Sequence, residues 1–192
     1  RAPSRATVPI TVEPLRKMTF PPGLVPVTVA VNVTVVPSGV VVLTLTYSSF
    51  RLTPLLYWLI LLHCIILMVG GHYTYAEVPL FDWLREVLVL ERNHYDKLGH
   101  FAQGFVPAVV AREILLRKAV VRGRGWLFYI VVSVCLAISA FYEIIEWWVA
   151  LVSETAADSF LGTQGYVWDT QSDMAFALVG AILALLSLGR VH

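Results

Sequence analysis

Long apolar segments separated by short polar stretches dominate the chain. Five of them approach the ~20 apolar residues that a helix needs to cross the hydrocarbon of a bilayer. These segments are residues 23–47, 52–71, 98–116, 125–152 and 173–188. The clearest reads LTPLLYWLILLHCIILMVGG, and the third is weaker because it contains His100, Arg112 and Glu113. The pattern predicts an all-α integral membrane protein, a polytopic bundle of about five transmembrane helices.

The first quarter of the chain fits this pattern least well. In residues 23–47 valine and threonine alternate as in a strand, and Pro26 and Pro37 interrupt them. A single strand facing lipid would leave backbone groups unpaired, so a helix is the better interpretation. Residues 1–22 contain charges and prolines. We therefore expect an N-terminal segment there, followed by one transmembrane domain over residues 23–192. A sixth span within the N-terminal segment is the alternative.

Composition supports a membrane setting and excludes other classes. The 192 residues are 58% hydrophobic and 14% charged, and the mean hydropathy is +0.74, which is more apolar than a soluble domain of this length. A net charge of +1 offers no basic surface for nucleic acid. Cys64 and Cys135 lie inside apolar segments and are interpreted as small core residues. The partner that composition indicates is membrane lipid.

Basic residues indicate the orientation in the membrane. Four of them follow the third apolar segment, namely Arg117, Lys118, Arg122 and Arg124. Because cytoplasmic loops are enriched in such residues, we predict that residues 119–124 are cytoplasmic and that residues 153–172 lie outside. The linker 73–97 alternates apolar and charged residues, which predicts a short amphipathic helix at the membrane interface. Near the cytoplasmic end, Arg112 and Glu113 are expected to snorkel to the interface.

Three pairs of acidic or basic residues at helical spacing fall at a similar depth on the outer side. They are Asp96 with His100 in the third span, Glu143 with Glu146 in the fourth, and Asp169 with Asp173 at the start of the fifth. Spacings of three and four residues place each pair on one helix face. A charge in hydrocarbon costs at least ~2.5 kcal/mol. The pairs therefore predict internal partners, a wet cavity or a bound cation.

Carboxylates outnumber the basic residues expected at this depth, which predicts a positively charged guest. Oxygen ligands of this kind suit Mg²⁺, Ca²⁺ or Mn²⁺. The candidate ligands of such a divalent cation are His100, Glu143, Glu146, Asp169 and Asp173. The wider polar cluster adds Asp96, Gln103, Gln164 and Gln171. Taken singly, Asp96 and Asp169 also suit helix N-caps. The sequence indicates no cofactor other than this cation.

Four stretches resemble a known family, in the same order along the chain. They are GGHYTYAEVP at 70–79, RNHYDKLGHFAQGFVPA at 92–108, SAFYEIIEWW at 139–148 and FLGTQGYVWDTQSDM at 160–174. Over about residues 50–190 the chain resembles the YjdF-like family of bacterial inner-membrane proteins. A weaker similarity in outline links it to VanZ-like membrane proteins. The resemblance implies a multi-pass protein of the bacterial inner membrane and supports the importance of these motif residues, and it implies no reaction.

Two functions stay open at this point. The main hypothesis is a non-catalytic accessory or structural membrane subunit, whose polar cluster is an internal network that fixes helix register and whose partner is a larger membrane complex. The alternative is a divalent-cation-dependent enzyme, or a protein that binds cationic or lipid headgroups, in which Asp96 and His100 act as acid and base. A proton or solute pathway ranks last, because the cytoplasmic half offers only Arg112 and Glu113.

Overall fold

A computed structural model describes residues 43–45, 47–152 and 165–189, and within these residues it contains helices and no strands. The helices are α1 (Pro54–His72), α2 (Pro79–Leu88), α3 (Tyr95–Arg117), α4 (Arg124–Val152) and α5 (Asp169–Leu188). The predicted all-helical class is confirmed. The N-terminal segment 1–22 and nearly all of the Val/Thr-rich segment 23–47 lie outside the described residues.

Among the described residues, three helices are long and apolar enough to cross a membrane, over Pro54–His72, Arg124–Trp148 and Asp169–Leu188. α3 has 23 residues, or about 35 Å at 1.5 Å per residue, so it is also long enough. The charged residues of α3 make it too polar to be counted with these three apolar helices. α3 and α5 each begin three or four residues before the predicted apolar segments. Their first turns contain Asp96 and Asp169, and a helical turn made of polar residues cannot be recognised from hydropathy.

α3 is the central helix of the described bundle. It contacts α1, α4 and α5, and its most extensive contact is with α5. The apolar core between these helices includes Leu56 of α1, Val109 of α3, Val131 and Cys135 of α4, and Ala181 of α5. Cys135 is fully buried there, as expected for a small core residue. The centre of the bundle is therefore built largely from small side chains.

Two glycines bring α3 and α5 into backbone contact. A Cβ atom on Gly104 would overlap the backbone carbonyl of Ala177, and one on Gly180 would overlap the carbonyl of Phe101. Small residues at such positions let membrane helices approach closely and gain dispersion energy. The close approach also sets the separation of the polar residues that α3 and α5 carry at their N-terminal ends.

Glu113 links the far end of α3 to the start of α1. Its carboxylate accepts hydrogen bonds from the backbone N–H of Thr53 at 3.1 Å and from Thr53 Oγ1 at 2.9 Å, and Arg117 Nη1 lies 2.6 Å from it. A carboxylate at this place satisfies N–H groups that the first turn of a helix leaves unpaired. With 3% exposure, Glu113 does not snorkel, so that prediction is wrong.

α2 is the amphipathic helix predicted in the linker. Leu80, Trp83 and Val87 are all exposed on it, and their spacing places them on one face. The helix ends at Val89, which has a left-handed backbone with φ of 53°. An apolar face without a protein partner is typical of a helix that lies in the membrane interface.

Candidate functional site

Charged side chains converge where the N-terminal ends of α3 and α5 meet the second half of α4. The helices begin at Tyr95 and Asp169, so polar residues spaced four apart in their first turns face each other across the close α3–α5 contact. The buried polar cluster comprises Arg92, Asp96, Lys97, His100, Glu143, Asp169 and Asp173.

Lys97 lies at the centre of the cluster. Its Nζ atom is 2.9 Å from Asp169 Oδ1 and 3.5 Å from Asp96 Oδ2, and it also donates a hydrogen bond to Asp173 Oδ1. The lysine side chain is only 7% exposed. An unpaired ion at such a site costs several kcal/mol. The surrounding carboxylates explain how a lysine is accommodated here.

Arg92 adds a second cation to the α5 carboxylates. Its Nη1 atom donates a hydrogen bond of 2.7 Å to Asp169 Oδ1, so that oxygen accepts from both Arg92 and Lys97. The guanidinium also lies 4.4 Å from the centre of the Tyr166 ring, a distance suited to a cation–π contact. Arg92 therefore connects the segment before α3 to the turn that precedes α5.

The His100 side of the cluster is less completely satisfied. His100 Nε2 lies 3.4 Å from Asp96 Oδ1, 3.7 Å from Glu143 Oε1 and 4.0 Å from Asp173 Oδ2. Three buried atoms of this group, Asp96 Oδ2, His100 Nδ1 and Glu143 Oε1, have no hydrogen-bond partner in the described structure. Buried polar atoms are nearly always hydrogen-bonded. A further ligand that pairs with these three atoms would therefore be most stabilising at this side of the cluster.

Three residues on this side have the separation of a metal site. Asp96, His100 and Asp173 each offer an atom, and these atoms lie within 4.8 Å of one another. Two ligands that share one hard cation at 2.3–2.6 Å are separated by at most about 5 Å. The donor set of two carboxylates and one imidazole fits a divalent cation, although Lys97 already binds Asp173.

The structure brings some of the predicted residues together and leaves others apart. Glu143 is 8% exposed and joins the cluster. Glu146 is half-buried one turn later on α4, with no hydrogen bond or ion pair to a described residue. Gln103 is half-buried on α3 and Gln171 is exposed on α5. Gln164 lies outside the described residues.

Three residues that hold the site together were not among the predicted ones, namely Lys97, Arg92 and Asn93. Asn93 is 1% exposed, and its Nδ2 donates to the Val78 carbonyl at 3.1 Å and to Asp82 Oδ1 at 3.2 Å. Its Oδ1 accepts the backbone N–H of Tyr95 at 3.0 Å. An asparagine just before a helical pattern is a known N-terminal signal. That signal was available in the sequence.

A cavity of about 890 Å³ adjoins the cluster, between α2, α3 and the N-terminal part of α5. Phe81, Phe101 and Phe176 contribute apolar lining, and Glu91, Arg92, His94 and Lys97 contribute polar lining. Burial lowers the pKa of His94, which precedes α3, and the neighbouring Arg92 and Lys97 lower it further. The cavity thus joins an aromatic surface to the charged edge of the buried polar cluster.

Apolar helices of membrane-spanning length around buried ion pairs define a helical integral membrane protein. The chain belongs to the family described as "Predicted membrane protein (DUF2238)", which matches residues 9–192. It is 58% identical over 161 residues to "Inner membrane protein YjdF" of Escherichia coli (strain K12), covering 84% of this chain and 77% of that protein. No solved structure matches the chain. The resemblance to YjdF-like proteins is confirmed, and the protein is one of the bacterial inner membrane.

Proposed function

We propose that the protein is a non-catalytic accessory or structural subunit of the inner membrane, in which the buried polar cluster holds the helices in register. The observation that carries this proposal is the position of Lys97. Its ammonium group lies between Asp169 and Asp173, and Arg92 binds Asp169 as well. Carboxylates that were expected to need an external cation therefore have cations from the chain itself.

Such a network favours one arrangement of α3 against α5 over its neighbours. A shift of either helix by one residue would rotate the carboxylates of α5 away from Lys97 by about 100°. Each displaced charge would then stay buried without a partner, which costs about 3–5 kcal/mol. The backbone contact at Gly104 and Gly180 selects the same register, so packing and charge act together.

The membrane arrangement that we propose has five spans. α1, α4 and α5 qualify by length and apolarity. α3 is proposed as a further span, because its charged residues Lys97 and Glu113 are buried against neighbouring elements rather than exposed to lipid. The Val/Thr-rich segment 23–47 supplies the fifth. The polar cluster then lies on the periplasmic side, and the partners are membrane lipid and a larger membrane protein complex.

The network hypothesis is tested by restoring charge balance after breaking it. Lys97→Met should lower the free energy of unfolding by about 3–5 kcal/mol, because it removes a cation from two buried carboxylates, Asp169 and Asp173, of which Asp169 keeps Arg92. Adding Asp173→Leu to Lys97→Met should recover part of that loss, because it removes one of those carboxylates. Thermal unfolding of the detergent-purified protein measures both effects, and Lys118→Met, at the exposed C-cap of α3, is the control.

A metal chelator separates this hypothesis from a metal-dependent one. If the network is internal, a chelator should leave the melting temperature of the wild-type protein unchanged. A lower melting temperature after chelation would contradict the proposal, as would a double variant that is less stable than Lys97→Met alone.

A second candidate function is favoured by the unsatisfied atoms around His100. Here Asp96, His100 and Asp173 hold a divalent cation, with Glu143 Oε1 as a further ligand. Such a cation would act as a Lewis acid towards a phosphate or carbonyl oxygen of a lipid-linked substrate, or bind a headgroup. Asp96 would orient His100 through the 3.4 Å contact with Nε2. On this hypothesis the protein is a membrane-embedded enzyme or a headgroup-binding protein.

Titration with Mn²⁺ tests this second candidate. Mn²⁺ should raise the melting temperature of the wild-type protein, and Glu143→Gln should remove most of that rise while preserving side-chain volume. Glu146→Gln is the matched control one turn away, because Glu146 is not one of the four ligands of this hypothesis, whereas Glu143 Oε1 lies 3.7 Å from His100 Nε2. Equal responses of the two variants to Mn²⁺ would contradict this ligand set.

A further inference from the structure

The two ends of the described bundle differ in charge. Among the described residues, the end where α3 leads into α4 has six basic residues and one acidic residue, Glu113. At the opposite end, which holds the buried polar cluster, acidic residues outnumber basic ones. Residues 114–142 contain no aspartate or glutamate. The six basic residues are Arg51, Arg112, Arg117, Lys118, Arg122 and Arg124.

Three of these basic residues lack a counter-charge within the described part of the chain. Lys118, Arg122 and Arg124 are exposed, and none of their side chains forms a hydrogen bond or an ion pair with a described residue. Lys118 Nζ lies 5.2 Å from the centre of the Phe50 ring. The one acidic residue of this end, Glu113, is already paired within α3. Three positive charges are therefore free to meet an anion from outside.

An aromatic pair marks the level at which this end meets the membrane. Trp126 and Tyr129, in the first two turns of α4, are 66% and 64% exposed. Their ring centres lie 6.1 Å apart in an edge-to-face arrangement, and with Gly125 the two rings line a recess of about 520 Å³. Exposed tryptophan and tyrosine on spanning helices are typical of the boundary between headgroups and acyl chains. The basic residues just before this pair therefore lie at the level of lipid phosphates.

We propose that this end of the bundle is a binding surface for anionic phospholipid. The headgroup phosphates contact Lys118, Arg122 and Arg124, and the upper acyl chains lie against Trp126 and Tyr129. Clusters of basic residues beside a spanning helix attract anionic lipid in this way. Because α4 is itself of membrane-spanning length, lipid reaches the two rings without any further protein. The surface goes beyond the structural role proposed for the buried polar cluster, since it lies at the other end of the bundle.

Quenching of tryptophan fluorescence by brominated lipid tests the proposal. The protein is reconstituted in bilayers of phosphatidylglycerol and phosphatidylcholine, with bromine on the acyl chains of one lipid at a time. The difference between wild type and Trp126→Phe gives the quenching of Trp126 alone. Phosphatidylglycerol should bind beside Trp126 at least about fivefold more strongly than phosphatidylcholine, the effect of one basic residue near an anionic surface. Equal binding of the two lipids would overturn the proposal.

Charge variants locate the preference in this surface. Replacing Lys118, Arg122 and Arg124 together by glutamine should abolish the preference for phosphatidylglycerol. The variant Lys118→Arg, Arg122→Lys, Arg124→Lys keeps the three charges and should retain it. Because the three side chains are exposed, both variants should melt near the wild-type temperature. The proposal fails if the glutamine variant keeps the preference or the charge-keeping variant loses it. It also fails if Arg85→Gln, at the opposite end on α2, has as large an effect as the glutamine variant.

Salt and inorganic phosphate distinguish a lipid surface from a site for free phosphate. Higher sodium chloride should weaken the preference for phosphatidylglycerol, because exposed charges are screened. Sodium phosphate at the same ionic strength should have the same effect as chloride. A stronger effect of phosphate would show that the basic residues recognise the free anion, and a preference that does not respond to salt would show that charge is not its source. Either result would overturn the proposal.

Discussion

At the residue scale, Lys97 shows how context changes the meaning of a side chain. In the sequence it is a single basic residue next to several acidic ones. In the fold it contacts carboxylates from both α3 and α5. The identity of its partners depends on helices that are far apart in the chain. A single charged residue here thus decides whether the acidic residues form a binding site or a structural network.

Val89 allows a prediction about backbone strain. It has φ of 53° and ψ of 47°, a left-handed conformation that a β-branched residue adopts only at a cost of about 1–2 kcal/mol. Its side chain is 89% exposed, so little packing is lost on substitution. Val89→Asn should therefore raise the free energy of unfolding by about 1 kcal/mol, because asparagine tolerates this conformation.

The control for this prediction is Val120→Asn. Val120 is also exposed, at 65%, and it is not among the residues with positive φ. Chemical denaturation of both variants should show a higher free energy of unfolding for Val89→Asn alone. A gain of the same size at Val120 would mean that the effect comes from polarity and not from the backbone.

Glu113 allows a second residue-scale prediction. Its carboxylate accepts hydrogen bonds from Thr53 and Arg117 at a site where it is almost fully buried. Glu113→Gln should lower the free energy of unfolding by about 1.5–3 kcal/mol, the contribution of hydrogen bonds to a charged group. Glu86→Gln on the exposed side of α2 is the control, and thermal unfolding should separate the two. Equal stability of both variants would show that the hydrogen bonds of Glu113 do not stabilise the start of α1.

At the element scale, the pairing of α3 with α5 depends on glycine. Gly104→Ala should destabilise the protein by about 1–3 kcal/mol, because the new Cβ overlaps the Ala177 carbonyl and forces the helices apart. Gly125→Ala is the matched control in the first turn of α4, where a Cβ meets nothing within 4 Å. It should be neutral or stabilising by up to about 1 kcal/mol.

These two alanine variants test the helix contact directly when thermal unfolding in detergent is compared. If Gly104→Ala lowers the free energy of unfolding and Gly125→Ala does not, the result supports a contact between the α3 and α5 backbones. Because the same contact holds Lys97 near Asp173, Gly104→Ala should also reduce the cost of removing Lys97. Full additivity of Gly104→Ala with Lys97→Met would show that packing and charge are independent.

The helices were largely predictable from the sequence, since hydropathy and residue spacing are local properties. The helix starts at Tyr95 and Asp169 were missed by three to four residues, because polar first turns resemble loops in hydropathy. The pairing of Arg92 with Asp169 was not predictable, as 77 residues separate them. Spacing showed which residues share a helix face. It carried no information on which cation faces which carboxylate.

At the scale of the whole molecule, the buried polar cluster has two unlike halves. Arg92 and Lys97 balance Asp169 and Asp173 near the cavity. Towards α4, His100 lies between Asp96 and Glu143. The first half favours a fixed structure, and the second retains unsatisfied atoms. One site therefore supports both the network hypothesis and the cation hypothesis, and only the chelator and Mn²⁺ experiments distinguish them.

The orientation of the whole molecule in the membrane gives the last prediction. Arginine and lysine follow α3 in a short loop, which the positive-inside rule places in the cytoplasm. The segment before α5 should then be periplasmic, and the buried polar cluster with it. In a background where Cys64 and Cys135 are replaced by alanine, Val167→Cys should react with an impermeant thiol reagent on intact cells, and Arg122→Cys should react only after lysis. Both positions are exposed on the protein itself, so a difference between them reports the membrane alone. Reaction of Arg122→Cys and not Val167→Cys on intact cells would invert the topology and place the buried polar cluster on the cytoplasmic side.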